Sequence, residues 1–302
     1  MGGLDVMFSR NQHTIASTCA VSGRGYWSAK EVTVVMHPAP IGTGIRLVRT
    51  DLPSSPSCDA NVLNRSDANL RTNLESGDAK FQMVEHLMAA LYALEIDNCI
   101  VEIDGEELPG LDGSSKPYVD ALSHAGLIVQ AEQRKRLVIQ QVITLREGSS
   151  WITASPVPTG VSHFGYQLAF DCDGPISEQS YGFSCTPINF TRDVAPARTF
   201  VTLEQATALH QRGVARHVGY NELLVFGDDG PVDNELKYRN ECARHKALDL
   251  VGDLSLVGVE LIGKFISHRG GHSLNGRMAK ALYELMVQQQ YRESELSQRR
   301  AA

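Results

Sequence analysis

The chain has 302 residues, 42% of them hydrophobic and 21% charged, with a formal net charge of −7. That composition suits a globular protein with room for one large domain or two medium ones, and its acidic balance excludes a general nucleic-acid binder, which needs a basic surface against phosphate. No apolar run reaches the roughly 18 residues of a membrane span, and the opening MGGLDVMFSRNQHTIAS lacks the apolar core of a secretion signal.

The MGG start offers only a weak match to a myristoylation signal. Alternating segments at 31–40 and 43–52 read as antiparallel strands. A helix is predicted over 79–94, AKFQMVEHLMAALYAL, with Asp78 as its cap. NCIVEIDG (98–105) follows as a strand, and DGSS should then start a helix over PYVDALSHAG by satisfying its free amides. The charged run AEQRKR (131–136) reads as a linker between halves or as a solvated strand end.

The second half repeats the theme. Strands are predicted at 137–145, 151–157, 166–172 and 220–226, with helices at 203–212, 235–252 and 274–297 and a polar tail that should fray. Two similar α+β domains, each a sheet layered with helices, are expected over 1–130 and 137–302, with a site at their interface. Six scattered cysteines with no CxxC pair point to inert, reduced thiols and a cytoplasmic setting.

The chemistry concentrates in RHKALDLVGDL (244–254). His245, Asp249 and Asp253 are spaced by four, so on a helix they share one stripe beside Leu248. Polar groups on a half-buried face are costly unless paired. A histidine and a carboxylate one turn apart can reach a single metal ion, and a catalytic zinc takes three protein ligands. His86, on the apolar helix and directly after Glu85, is the best third ligand; alone, such a histidine is more often a core residue. His272 follows Gly270 and Gly271, where it can point into a cleft or simply cap a helix. Asp253 is then either its partner or a surface carboxylate.

Four ordered segments carry a resemblance: VEHLMAALYALEIDNCIVEIDGEELPGLDGSSKPYV (84–119), ARTF (197–200), RHKALDLVGDL and HRGGHSLN (268–275). Together they resemble the zinc-dependent UDP-3-O-acyl-N-acetylglucosamine deacetylases of lipid A biosynthesis. The resemblance implies one Zn2+ on His86, His245 and Asp249, with Glu85 as general base. It implies that His272, supported by Asp253, stabilises the anionic intermediate and helps protonate the leaving amine, and that Thr199 bonds the developing oxyanion. Phe200, Lys246 and Arg269 would bind the nucleotide sugar, Arg269 at a position usually held by lysine. The expected substrate is a small molecule, an acylated UDP-amino sugar, and the expected state a monomer.

The family's pattern also fails in places. GRGYWSA (23–29) has Trp27 where histidine is usual and Ala29 where glycine is usual. GVARHVG (213–219) brings Arg216 and His217 into a normally apolar, glycine-rich insert, and Arg71 stands where small or apolar residues are usual. These side chains either turn outward or shorten the acyl passage. The alternatives are a diverged zinc deacetylase of another N-acetylated amino-sugar conjugate with a short or absent acyl chain, or a non-catalytic nucleotide-sugar or acyl-lipid binder.

Overall fold

Two five-stranded sheets of identical strand order organise the chain. The computed structural model describes residues 10–170, 174–220 and 222–301, with backbone alone for 292–301. The MGG start and Cys172 lie outside the described residues. The first sheet runs Cys19–Arg24, Glu31–Pro38, Cys99–Ile103, Ile45–Arg49, Ser57–Asp59 across its width. The second runs Ile143–Glu147, Ser150–Ser155, Lys264–His268, His163–Leu168, Gln179–Ser184. In each, the last strand inserts at the centre, antiparallel to one neighbour and parallel to the other, with registers such as Val34↔Ile103 and Leu47↔Val101, or Ala154↔Phe265 and Gly165↔Ile266. The period-two alternation of EVTVVMHP explains its placement: Val32, Val34 and Met36 are buried while the residues between them are not. The fold is thus two similar α+β units.

Among the described residues six α-helices complete it: α1 (Glu85–Ala93), α2 (Lys116–Ala125), α3 (Pro187–Asp193), α4 (Leu203–Gln211), α5 (Glu241–Ser255) and α6 (His272–Ala301). α5 packs on the second sheet and against both α1 and α6. The α1–α5 approach is close because residue 252 is glycine: a Cβ there would overlap the Glu85 carbonyl oxygen.

Several boundaries differ from those expected. Residues 79–82 form a strand paired with Asn73–Ser76, so α1 begins only at Glu85, and neither Asp78 nor the N-cap Val84 supplies a side-chain cap. Met83, at φ 60°, turns the chain between the two elements. DGSS caps α2 only in part. Ser115, at the N-cap, donates instead to the His86 carbonyl (2.7 Å), while Ser114 accepts from the Lys116 amide (3.1 Å). α4 matches its prediction, closed by a Thr202/Gln205 capping box. α5 starts six residues later than predicted, at Glu241 against 235. The tail expected to fray continues α6 to Ala301, in keeping with its glutamine, glutamate and arginine content. Residues 131–133 of the charged run end the strand Leu127–Gln133, which pairs with Asn11–Ile15. The five described cysteines are free, and burial pushes the thiols of Cys99, Cys185 and Cys242 up to about 12.

Candidate metal centre and active site

The first turn of α1 and the middle of α5 bring His86, His245 and Asp249 together, with one ligand atom from each lying within 4.8 Å of the others. All three side chains are buried. Asp249 Oδ1 stands 3.5 Å from His245 Nε2 and 3.7 Å from His86 Nε2, and has no hydrogen-bond partner. An unpartnered buried carboxylate oxygen is expensive. Two donors each about 2.0–2.2 Å from one tetrahedral ion stand roughly 3.3–3.6 Å apart, so the spacing fits a shared cation better than direct hydrogen bonding. The donors are in the right protonation state. Burial pushes both imidazoles down, His245 to about 4, against the upward pull of Asp249. Burial also works against the charge of Asp249, but His245, Lys246, His272 and His86 outweigh it and hold the group well below the usual carboxylate range. His245 Nδ1 lies 3.1 Å from the Ala197 carbonyl, which selects the tautomer with Nδ1 protonated and leaves Nε2 as the ligand atom.

Glu85 adjoins this group, buried, with Oε2 accepting from the Thr72 amide at 3.0 Å. Burial, reinforced by Asp249 and Asp253 and opposed by His272, raises its carboxyl to about 7, a value suited to a base at neutral pH. His272, the first residue of α6, places Nδ1 2.9 Å from Asp253 Oδ2. Burial disfavours its cation, but Asp253, by charge and hydrogen bond, and Asp249 prevail and raise it to about 9. Asp253 is fully enclosed, accepting also from Thr72 Oγ1 (2.5 Å) and Asn275 Nδ2 (2.9 Å).

The profile of one family, described as UDP-3-O-acyl N-acetylglycosamine deacetylase (LpxC), matches residues 12–284. The chain belongs to this family. Relatives named UDP-3-O-acyl-N-acetylglucosamine deacetylase include one from Nostoc sp., 37% identical over 279 residues, covering 91% of this chain and 99% of its own length. Another from Citrifermentans bemidjiense is 36% identical over 272 residues, covering 90% and 88%, and one from Brucella ovis is 35% identical over 273 residues, covering 90% and 94%.

Phe200, Lys246 and Arg269 line an open cavity of about 530 Å³, together with Leu70, Tyr166 and Phe170, among others; Thr199 is not part of that lining. Lys246 donates to Asp249 Oδ2 (2.9 Å) and lies 5.8 Å from the centre of the Phe200 ring, which in turn stands edge-on to His245. Thr199, half-buried, directly precedes the short run Phe200–Thr202, its amide bonded to Gly113 O (2.7 Å) and its carbonyl to Leu224 N (2.9 Å). Arg198 fastens the run to the start of α5 through a buried pair with Glu241 (2.8 Å).

Arg71, Trp27, Arg216 and His217 each have a partner of their own. The Arg71 guanidinium stacks 4.5 Å over the Trp27 ring, His217 Nε2 lies 2.8 Å from the Gly25 carbonyl, and Arg216 donates to the His210 carbonyl (3.0 Å). Ala29, standing where the family has glycine, keeps a left-handed φ of 59°. Thr72, Asn275 and Gly252 also shape the site without having been singled out along the chain. Gly252 sits inside RHKALDLVGDL and Asn275 ends HRGGHSLN, whereas Thr72 lies in none of the four quoted segments.

Proposed function

We propose that this chain hydrolyses the N-acetyl group of UDP-3-O-acyl-N-acetylglucosamine to give UDP-3-O-acyl-glucosamine and acetate, in lipid A biosynthesis, with one Zn2+ held by His86, His245 and Asp249. The observation that carries the metal assignment is the unpartnered Asp249 Oδ1 between two neutral imidazoles. Family membership carries the reaction class. When bound there, zinc supplies Lewis-acid polarisation of the acetyl oxygen and a lowered pKa for the attacking water.

The chain's own groups do the rest. Glu85 accepts the proton of the attacking water as the new C–O bond forms. The Thr199 hydroxyl donates to the developing oxyanion, and the His272 cation offsets its charge. An amide nitrogen cannot leave as an anion, so His272, kept protonated by Asp253, delivers a proton to it as the C–N bond breaks. Phe200, Lys246 and Arg269 bind the nucleotide sugar in the cavity they line; both cations suit a diphosphate, and the arginine can bind two oxygens at once.

The partners of Arg71, Arg216 and His217 support the acylated substrate over a short-chain conjugate. None of the three lines the neighbouring cavity of about 260 Å³, whose walls include Leu203, Ala206, Leu209, Val218, Leu223 and Val225. That apolar cavity can take the acyl chain. We read the two sheets as domains spanning 1–130 and 137–302, and the protein as a monomer and, from its scattered cysteines, as cytoplasmic.

The deciding experiment compares acetate release from the acylated UDP-sugar with release from the same sugar lacking the acyl chain, with metal content measured on the same preparation. The expected result is a strong preference for the acylated compound at about one zinc per chain. Equal turnover of both sugars would overturn the substrate assignment, and an active, well-folded preparation free of zinc would overturn the metal.

A further inference from the structure

Glu85, Asp253 and His272 come from three different helices, α1, α5 and α6, yet one residue bonds to all of them. Thr72 is 1% exposed. Its amide donates to Glu85 Oε2 at 3.0 Å, and its carbonyl accepts from the Val84 amide at 3.2 Å. Its hydroxyl donates to Asp253 Oδ1 at 2.5 Å and stands 3.2 Å from His272 Nδ1. We propose that Thr72 is the positioning residue of the acid–base machinery, setting the Glu85 carboxylate and the His272 imidazole relative to one another.

The chemistry of each contact supports this role. Glu85 has two carboxylate oxygens; the Thr72 amide occupies Oε2, which orients the group and reserves Oε1 for the proton. Asp253 likewise has both oxygens engaged, Oδ1 by Thr72 and Oδ2 by His272 and Asn275. With Oδ1 held, the carboxylate cannot rotate, so the imidazole bonded to Oδ2 keeps its plane. His272 Nε2 is thereby directed toward the metal group, 3.8 Å from Asp249 Oδ2. A short O–H···O⁻ bond to an enclosed carboxylate is among the stronger hydrogen bonds, and its geometry transmits directly.

Thr72 is itself firmly placed. Leu74, two residues further on, is fully buried, Asn73 pairs with Gln82 on the neighbouring strand, and Arg71 stacks on Trp27. Threonine's branched Cβ leaves its hydroxyl few rotamers. The stack also gives a use to two residues that depart from the family pattern.

The proposal rests on the deacetylase reading, so wild-type acetate release from the acylated UDP-sugar is measured first; its absence would count against that reading alone. Thr72→Val keeps the shape and removes the hydroxyl, while Thr72→Ser keeps the hydroxyl. In the zinc-loaded enzyme, Thr72→Val is expected to lower kcat about 10–100-fold with KM and zinc content unchanged, and Thr72→Ser to restore most of it. Unchanged kcat in Thr72→Val, a loss confined to KM, or an equal loss in Thr72→Ser would each overturn the proposal. A crystal structure of Thr72→Val gives a readout independent of activity: the Asp253 carboxylate and His272 ring are expected to rotate away from their 2.9 Å contact. An undisturbed contact would overturn the proposal whatever the kinetics. Should the valine variant not fold, Thr72→Ala carries the same comparison.

Discussion

Gly252→Ala tests whether the α1–α5 approach builds the metal centre. A Cβ at residue 252 would stand 2.9 Å from the Glu85 carbonyl carbon and 3.1 Å from its Cα, and closer still to the carbonyl oxygen. Carbon atoms rest at about 3.5–4.0 Å, so the backbones must part by about 1 Å. The obstacle is backbone, which cannot swing aside as a side chain can. Overpacking of this kind costs about 1–3 kcal/mol, set against roughly 1 kcal/mol gained from alanine's better helix propensity. The larger effect falls on the ligands. His86 follows Glu85 directly on α1, and Asp249 lies one turn before Gly252 on α5, so parting the helices lengthens the 3.7 Å His86–Asp249 spacing. Zinc–nitrogen bonds hold to within about 0.2 Å, so a shift of that size is not absorbed. Zinc affinity measured by chelator competition is expected to fall more than about 10-fold, with a lower Tm. An alanine variant that kept both wild-type Tm and wild-type zinc affinity would refute the reasoning.

Glu85→Gln removes the proton acceptor while leaving the ligands in place; zinc content should hold while acetate release falls about 10²–10⁴-fold. The pH profile of kcat/KM should be bell-shaped, because the base works above about 7, where Glu85 is ionised, and the acid below about 9, where His272 is protonated. Asp253→Asn removes the charge that lifts His272, so the alkaline limb should move to lower pH; a limb left in place would exclude His272 as the acid. Arg198→Ala leaves Glu241, 0% exposed, without its ionic partner. Breaking such a pair from one side costs about 3–5 kcal/mol, readable as a lower denaturant midpoint, and an unchanged midpoint would count against it.

Much of the site was legible along the chain because helical spacing alone decides which side chains share a face. His245, Asp249 and Asp253 at intervals of four must line up on α5, and the pairing of His245 with Asp249 follows from that repeat. The inward face of EVTVVMHP follows in the same way from a period of two. His86 could be joined to them only through the ordered family motifs, since nothing local states that α1 meets α5. AKFQMVEHL is helix-compatible throughout, yet residues 79–82 form a strand. Its pairing with Asn73–Ser76 and the left-handed Met83 override that tendency.

Thr72 carried no signal at all, for its partners lie 13, 181 and 200 residues away. The same holds for Arg71, Arg216 and His217, whose sequence positions suggested either a blocked passage or outward-turned charges. Their directions were settled by Trp27, the His210 carbonyl and the Gly25 carbonyl. The two strand-and-helix halves, the shared face of His245, Asp249 and Asp253, and the family could therefore be read along the chain, because all of them rest on local periodicity and ordered motifs. The closure of α1, α5 and α6 on one another through Gly252 and Thr72 could not be read there, because it depends on contacts between residues far apart along the chain.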